Sequence, residues 1–295
     1  MKHLQIQQFI ANMSTKEQII REYGGGIKES FDPELIRAFD VADQEVDPSL
    51  RKPQNIRLSM DKFRLSGDGI FYTIQGEGKS MGEPTVFLRL HICNLRCVWC
   101  DAWYTWNPKC KEFWTESYEL TPQEVAQRLE EAWLCKNPKK QKRVVITGGE
   151  PLLQRDKIDQ LMDLMPDWKF EIETNGTIIP TKKQLAKCQF NCSPKLENSK
   201  NIRAARIKPE VIKILNKIDV QFKFVVMGEQ DVEEVENDFI KPFNLDVNKI
   251  VLMPQGITAT EVSENAKKVV EIAKNRGYRL LDRLHVNLWG ARRRV

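Results

Sequence analysis

The sequence predicts an α/β fold, a partial (β/α)6-type parallel barrel with a small helical N-terminal extension. Three observations carry that prediction. From about Leu65 onward, strand-like and helix-like stretches alternate, and strands joined by crossover helices lie parallel. About six such strands recur, and no G-x-G-x-x-G follows the first, which disfavours a dinucleotide-binding sheet. The unusual polar residues stand at the C-terminal ends of the strands, where barrel active sites are built.

Residues 1–62 differ in pattern from the rest. STKEQIIREY opens on a helix-starting Ser14 and stops at Gly24, Gly25 and Gly26, and a second short helix is predicted over residues 32–43. The polar stretch containing Pro48 and Pro53 reads as a linker. The core, residues 63–295, begins with the strand GIFYTI, the loop QGEG and the strand PTVFLRLHI. TPQEVAQRLEEAWL has apolar positions at helical spacing, with Thr121 as N-cap. RVVIT is a buried strand ending in Gly148 and Gly149, followed by a helix over residues 152–165 and the strand KFEIET. An Asn175–Gly176 turn, the helix KPEVIKILNKI, the strand VQFKFVV, the helix DVEEVENDFI and the strand KIVLMP come next. A helix from about Glu261 to Arg276 and a closing strand, LHVNLW, complete the order.

The chain has 295 residues, enough to bury a core without disulfide staples, and its 41% apolar and 29% charged content is that of a globular protein. No apolar run is long enough to span a bilayer, and MKHLQIQQFIANMS lacks the apolar core of a secretory signal, so a cytoplasmic location is expected. The net charge is only +5. Its basic clusters, KNPKKQKR and the tail ARRRV, read as solvated charge, because no nucleic-acid motif accompanies them. Seven cysteines, three of them clustered, favour metal or cluster binding over disulfides and imply a reducing compartment.

The cluster is Cys93, Cys97 and Cys100, spaced C-x3-C-x2-C on the loop after PTVFLRL. Three thiolates on one loop can hold three irons of a four-iron cubane and leave the fourth open to a small molecule. A zinc site completed by Cys110 is the alternative, although only one C-x2-C pair is present. Cys135, Cys188 and Cys192 read as small hydrophobes. VVITGGEPLL sets two glycines, which let backbone approach a ligand closely, before Glu150 and Pro151. IETNGT puts Glu173 at a strand end, and NCSPK sets Ser193 and Lys195 about a proline. One after each successive strand, these motifs form a ring of polar loops at one barrel mouth.

CNLRCVWC together with GGEP resembles the radical S-adenosylmethionine superfamily. YTIQGEG, FLRLHICNLRCVWCD, ITGGEPLL, ETNG, SPK and LHVNLWG together are similar to the 7-carboxy-7-deazaguanine synthase family, from about Leu65 to Val295. The resemblance implies the partial barrel of that superfamily and a 4Fe-4S cluster on Cys93, Cys97 and Cys100. It also implies S-adenosyl-L-methionine chelated by the open iron and cleaved by one electron to a 5′-deoxyadenosyl radical. The implied reaction converts 6-carboxy-5,6,7,8-tetrahydropterin to 7-carboxy-7-deazaguanine with loss of ammonia, in 7-deazapurine (queuosine-type) biosynthesis.

Carried over by motif, the substrate positions are Ile74, Gln75, Gly76, Glu77, Arg89, Thr147, His285 and the C-terminal Val295. Those for S-adenosylmethionine are Trp99, Cys100, Asp101, Gly149, Glu173, Ser193, Pro194, Lys195 and Gln255. The resemblance further implies an electron donor such as flavodoxin or ferredoxin and a homodimer, and the sequence itself points to no membrane or direct nucleic-acid partner. It implies Mg2+ as well, bound in part by a Thr or Ser hydroxyl after the Cys-Asp pair. This chain has Ala102 there, which leaves Asp101, Thr105, waters and substrate oxygens to hold the ion. The N-terminal extension is a second departure. The rival readings are a glycyl-radical activating enzyme, which shares the cysteine loop and GGEP, and a zinc-stabilised nucleic-acid-binding module.

Overall fold

The computed structural model describes residues 58–290 and 292–295, so the helices expected within residues 14–43 lie outside it. β1 (Phe63–Ile74) and β2 (Pro84–Leu90) pair antiparallel, and β3 (Tyr118–Leu120) lines the outer edge of β1. From β2 the sheet continues parallel through β4 (Arg143–Gly148), β5 (Lys169–Thr174), β6 (Cys188–Cys192), β7 (Val220–Val226), β8 (Ile250–Pro254) and the two-residue β9 (Arg279–Leu280). From β4 to β9 the strands lie in sequence order, as successive crossovers require. This is the expected partial barrel: six full parallel strands, with an antiparallel flap added at the β2 edge.

Helices α1 (Pro122–Ala132), α2 (Arg155–Leu164), α3 (Lys182–Lys187) and α4 (Pro209–Asn216) supply the crossovers into β4, β5, β6 and β7. α5 (Glu229–Glu234), prolonged by a π-turn over Val235–Ile240, leads to β8, and α6 (Ala259–Arg276) leads to β9. Capping boxes begin three of these helices. Thr121 with Glu124, Thr181 with Gln184, and Thr258 with Glu261 each satisfy otherwise orphaned backbone N–H groups.

Side-chain alternation divides the sheet into two chemically different faces. Val86, Leu88, Val144, Ile146, Phe170, Ile172, Phe190, Phe222, Phe224 and Leu252 enter the apolar core. The intervening residues Arg89, Thr147, Glu171, Glu173, Asn191 and Lys223 are absent from that core and belong to the opposite, polar face. A parallel strand covered on both faces normally reads as a continuous apolar run. In KFEIET and VQFKFVV the polar residues every second position therefore mark a face built for something other than packing.

The closing segment LHVNLW is a helix, α7 (Leu284–Trp289), and not the expected strand. Its alternation of apolar and polar residues suits a strand, but six residues are too few for periodicity to decide. The Leu284 N–H donates to the Gly76 carbonyl at 3.0 Å, while the Arg283 carbonyl accepts from the Val286 and Asn287 N–H groups. These bonds turn the chain into a helix against the IQGEG loop. Among the described residues no helix is long and apolar enough to cross a membrane.

The two glycines after β4 admit a close approach, and the structure shows the chain's own backbone making it. Gly148 has φ +129°, and a methyl group there would overlap the carbonyl oxygen of Leu90. A methyl at Gly149 would overlap the Ile92 carbonyl. The GGEP turn is thereby pressed against the chain entering the cysteine loop. Gly148→Ala is expected to lower unfolding stability by at least about 2 kcal/mol, the cost of forcing a side chain into a forbidden backbone region against another backbone. Gly228, extended and with open space around it, serves as the control, since its alanine variant meets nothing. Equal urea midpoints for the two variants would show that the β4–β2 contact is not tight.

Candidate active site

A cavity of about 300 Å³ opens at the C-terminal ends of the parallel strands. Its wall nearest β2 is the cysteine loop. Ile92, a β-branched residue at φ +79°, begins that loop in a conformation such residues rarely adopt. It is held there from both sides: its N–H donates to the Thr105 carbonyl at 2.9 Å and its carbonyl accepts from the Glu150 N–H at 2.9 Å. Glu150 is buried and spends its carboxylate on the N–H groups of Leu152 and Asn175 and the Thr174 hydroxyl. The glutamate of GGEP thus ties the loops after β4 and β5 to the cysteine loop, more than an ordinary helix cap does.

Cys93, Cys97 and Cys100 all line the cavity. Amide N–H groups already point at two of the sulfurs: Asn201 Nδ2 lies 3.2 Å from Cys97 Sγ, and the Leu95 N–H 3.4 Å from Cys93 Sγ. Donors of this kind stabilise cluster-bound thiolates. Burial raises the Cys93 thiol to about 12 and raises those of Cys97 and Cys100 as well. Cys110 is not the fourth member of a zinc site. It is buried among Trp103, Tyr104 and Phe113, its Sγ 3.0 Å from the Asn107 carbonyl. Among the described residues no three His, Cys, Asp or Glu side chains are grouped so as to hold a single metal ion. All seven cysteines are free thiols.

Opposite the cysteines, the polar sheet face carries a network of buried charge. Lys223 Nζ donates to Glu77 at 2.8 Å and to Glu173 at 2.6 Å. Gln75 Nε2 and Asn191 Nδ2 each bridge Glu171 and Glu173, and Arg143 pairs with Glu171 at 2.8 Å. Arg283 binds Glu77 through Nε at 2.9 Å and Asp101 through Nη2 at 2.6 Å. Burial works against ionising Glu77, yet Lys223 and Arg283 outweigh it and hold its carboxyl well below the usual range. For Glu173 burial prevails, and its pKa is raised. Lys223 loses by burial and gains more from Glu173 and Glu77, so it stays charged.

The positions singled out in the sequence, other than Pro194, surround this one cavity, from Ile74 and Arg89 through Trp99 and Thr147 to Gln255, His285 and Val295. Pro194 is buried outside the lining, while Lys195 lies 2.8 Å from the Ser193 hydroxyl and 5.5 Å from the Trp99 ring centre. The Gln75 side chain is turned inward onto Glu171 and Glu173, and its backbone N–H and carbonyl are bonded to Glu83 and Gly82. The tail ARRRV is not simply solvated charge: Arg293 packs on the Tyr104 ring at 4.1 Å, pairs with Glu116 at 2.6 Å, and lines the cavity with Arg292 and Arg294. Lys223, Arg283, Glu171 and Asn191 were not anticipated. For Lys223 the signal was present, a lone lysine at period two inside VQFKFVV.

The family model of the Radical SAM superfamily matches residues 88–288. The 7-carboxy-7-deazaguanine synthase of Pyrobaculum aerophilum is 32% identical over 225 residues, covering 75% of this chain and 93% of that protein. That of Halobacterium salinarum is 34% identical over 242 residues, covering 75% of this chain and 88% of the relative. The solved structure of QueE from Escherichia coli superposes with a TM-score of 0.55 at 23% identity, over 76% of this chain and 95% of that one, which shows the shared fold.

His285 projects from α7 toward Gly76, where a methyl group would overlap its ring. Burial first, and the Arg283 guanidinium second, depress its pKa to about 4. Because the folded value lies below the unfolded one of 6.5, the neutral ring adds stability above pH 6.5 that is lost as pH falls toward about 4. In an NMR titration of the metal-free chain, the His285 ring signals are expected to stay put from about pH 8 to about pH 5, across the ordinary histidine midpoint. A titration centred near the ordinary midpoint would mean that the ring is hydrated.

Proposed function

Because the chain belongs to the radical S-adenosylmethionine superfamily and, within it, to the 7-carboxy-7-deazaguanine synthase family, we propose that it converts 6-carboxy-5,6,7,8-tetrahydropterin to 7-carboxy-7-deazaguanine with loss of ammonia. The observation that carries this reading is the convergence of the three thiols, the GGEP turn and the IQGEG loop on one cavity that also holds Arg89 and His285. Cys93, Cys97 and Cys100 would hold the 4Fe-4S cluster. Trp99, Asp101, Gly149, Glu173, Ser193, Lys195 and Gln255 would hold S-adenosylmethionine, with Pro194 fixing the turn between Ser193 and Lys195. When bound, these cofactors supply the one-electron chemistry that removes hydrogen from the substrate.

The chain's own residues bind and orient. The Arg89 guanidinium, projecting from β2 into the cavity, is a fork suited to the substrate carboxylate. Glu77 is held ionised, and a carboxylate with two bound cations still has lone pairs to accept from amino-pyrimidine N–H groups. The neutral His285 ring offers one donor and one acceptor nitrogen. The Ile74 and Gly76 backbone, the Thr147 hydroxyl and Val295 complete the substrate wall. The proposal includes a flavodoxin- or ferredoxin-type electron donor, a homodimer, and a reducing cytoplasm, which suits seven free thiols.

Anaerobic reconstitution with iron and sulfide is expected to give a brown protein that, with dithionite and S-adenosylmethionine, forms 5′-deoxyadenosine. Added 6-carboxytetrahydropterin is expected to yield 7-carboxy-7-deazaguanine by mass. Absence of 5′-deoxyadenosine sinks the radical reading, and 5′-deoxyadenosine without the deazaguanine sinks the substrate. In the same assay, Arg89→Ala is expected to raise KM for the pterin at least about tenfold, the loss of one charge-assisted contact worth about 1.4 kcal/mol. An unaltered KM removes Arg89 from the substrate site.

A further inference from the structure

The resemblance implies a magnesium ion beside the substrate, held in part by a hydroxyl on the residue after Cys100 and Asp101. The residues at that point do not fit one. Ala102 presents a buried methyl group and no oxygen. The hydroxyl of Thr105 is fully buried and donates to the Ala102 carbonyl at 2.7 Å. Asp101, the remaining side-chain oxygen donor, is engaged through Oδ2 by a cation of the chain's own, Arg283 Nη2 at 2.6 Å. Among the described residues no three His, Cys, Asp or Glu side chains are grouped so as to hold a metal ion.

Arg283 is fixed on every side. Nε donates to Glu77 of the IQGEG loop, Nη1 to the Gly256 carbonyl after β8 at 2.6 Å, and Nη2 to Asp101 of the cysteine loop. Its backbone is pinned at the entry to α7, where the following N–H donates to Gly76. A planar, permanently charged fork joins two carboxylates from different loops and sets between them one positive charge that cannot dissociate.

We propose that Arg283 stands in this chain for the magnesium ion: a built-in cation that joins Asp101 to Glu77, neutralises the cavity wall beside the substrate, and frees the enzyme from divalent metal. The inference rests on the site reading proposed above for where the substrate lies, but the cation exchange itself involves only Arg283, Asp101 and Glu77. Arg283 acts here as a positioning residue.

The test is uptake of Mn2+ by the reconstituted holoenzyme, followed by the loss of the free-ion EPR signal and read without substrate. A chain that makes no deazaguanine therefore still answers it. The wild type is expected to show no Mn2+ uptake that Asp101→Asn removes. Arg283→Gln is expected to take up one ion per chain, and Arg283→Gln combined with Asp101→Asn to lose it again. Wild-type uptake that Asp101→Asn abolishes overturns the proposal, and so does a folded Arg283→Gln variant that takes up no ion. If Arg283→Gln does not fold, the wild-type comparison alone decides. Arg283→Lys, which keeps a cation in place, is then expected to take up none, and uptake by it counts against the proposal.

Discussion

One buried ammonium holds the working end of this protein together. Lys223, in the middle of β7 and 2% exposed at its side chain, reaches Glu173 on β5 and Glu77 in the loop between β1 and β2. Each of these charges costs several kcal/mol to withdraw from water, and the cost is offset only because partners stand at hydrogen-bond distance. The penalty makes the arrangement a constraint. If the IQGEG loop lifted away, Lys223 and Glu173 would be left with less compensation, and Arg283 would lose one of its two carboxylates. The seating of that loop and the neutralisation of these charges are therefore coupled.

The constraint propagates through Arg283 to Asp101, and so to the cysteine loop. That loop is gripped a second time by Glu150 and by the two glycines that let β4 press against Leu90 and Ile92. The thiols are thus placed by two independent devices, one ionic and one steric. Neither touches a sulfur atom. A position-sensitive site built this way draws its geometry from rigid strands, whose own residues Arg89, Thr147, Glu173 and Lys223 line the cavity beside the loops.

The order of most strands and helices was legible because periodicity and Gly turns agreed and Thr121 marked the start of α1, whereas the six-residue α3 is too short for periodicity to reveal. The site motifs were legible because cysteine spacing and glycine pairs have few other uses. What escaped had a common cause. Lys223 and Arg283 lie far from the cysteines in sequence, and their partners are fixed by the sheet order, which no local pattern encodes. The LHVNLW helix escaped for the same reason, since its conformation is set by a bond to Gly76 more than two hundred residues away. The tail ARRRV looked like solvated charge until Tyr104 and Glu116 gave Arg293 a place to rest.

The charge pattern also explains why the cavity can receive anions at all. Glu77, Glu173 and Asp101 all face the space where a carboxylated ligand would lie. Two like charges about 4 Å apart repel by about 4 kcal/mol at a protein-surface dielectric, enough to cost nearly three decades of affinity for each uncompensated acid. Lys223 and Arg283 remove that repulsion before any ligand arrives, and they do so with side chains too well paired to wander toward the ligand themselves. Arg89 on β2, whose charge also favours ionised Asp101, and Lys195 beside Trp99 add further positive charge to the wall. A cation tethered by three hydrogen bonds keeps that division of labour at any metal concentration, whereas an exchangeable ion would make the sign of the cavity depend on its supply.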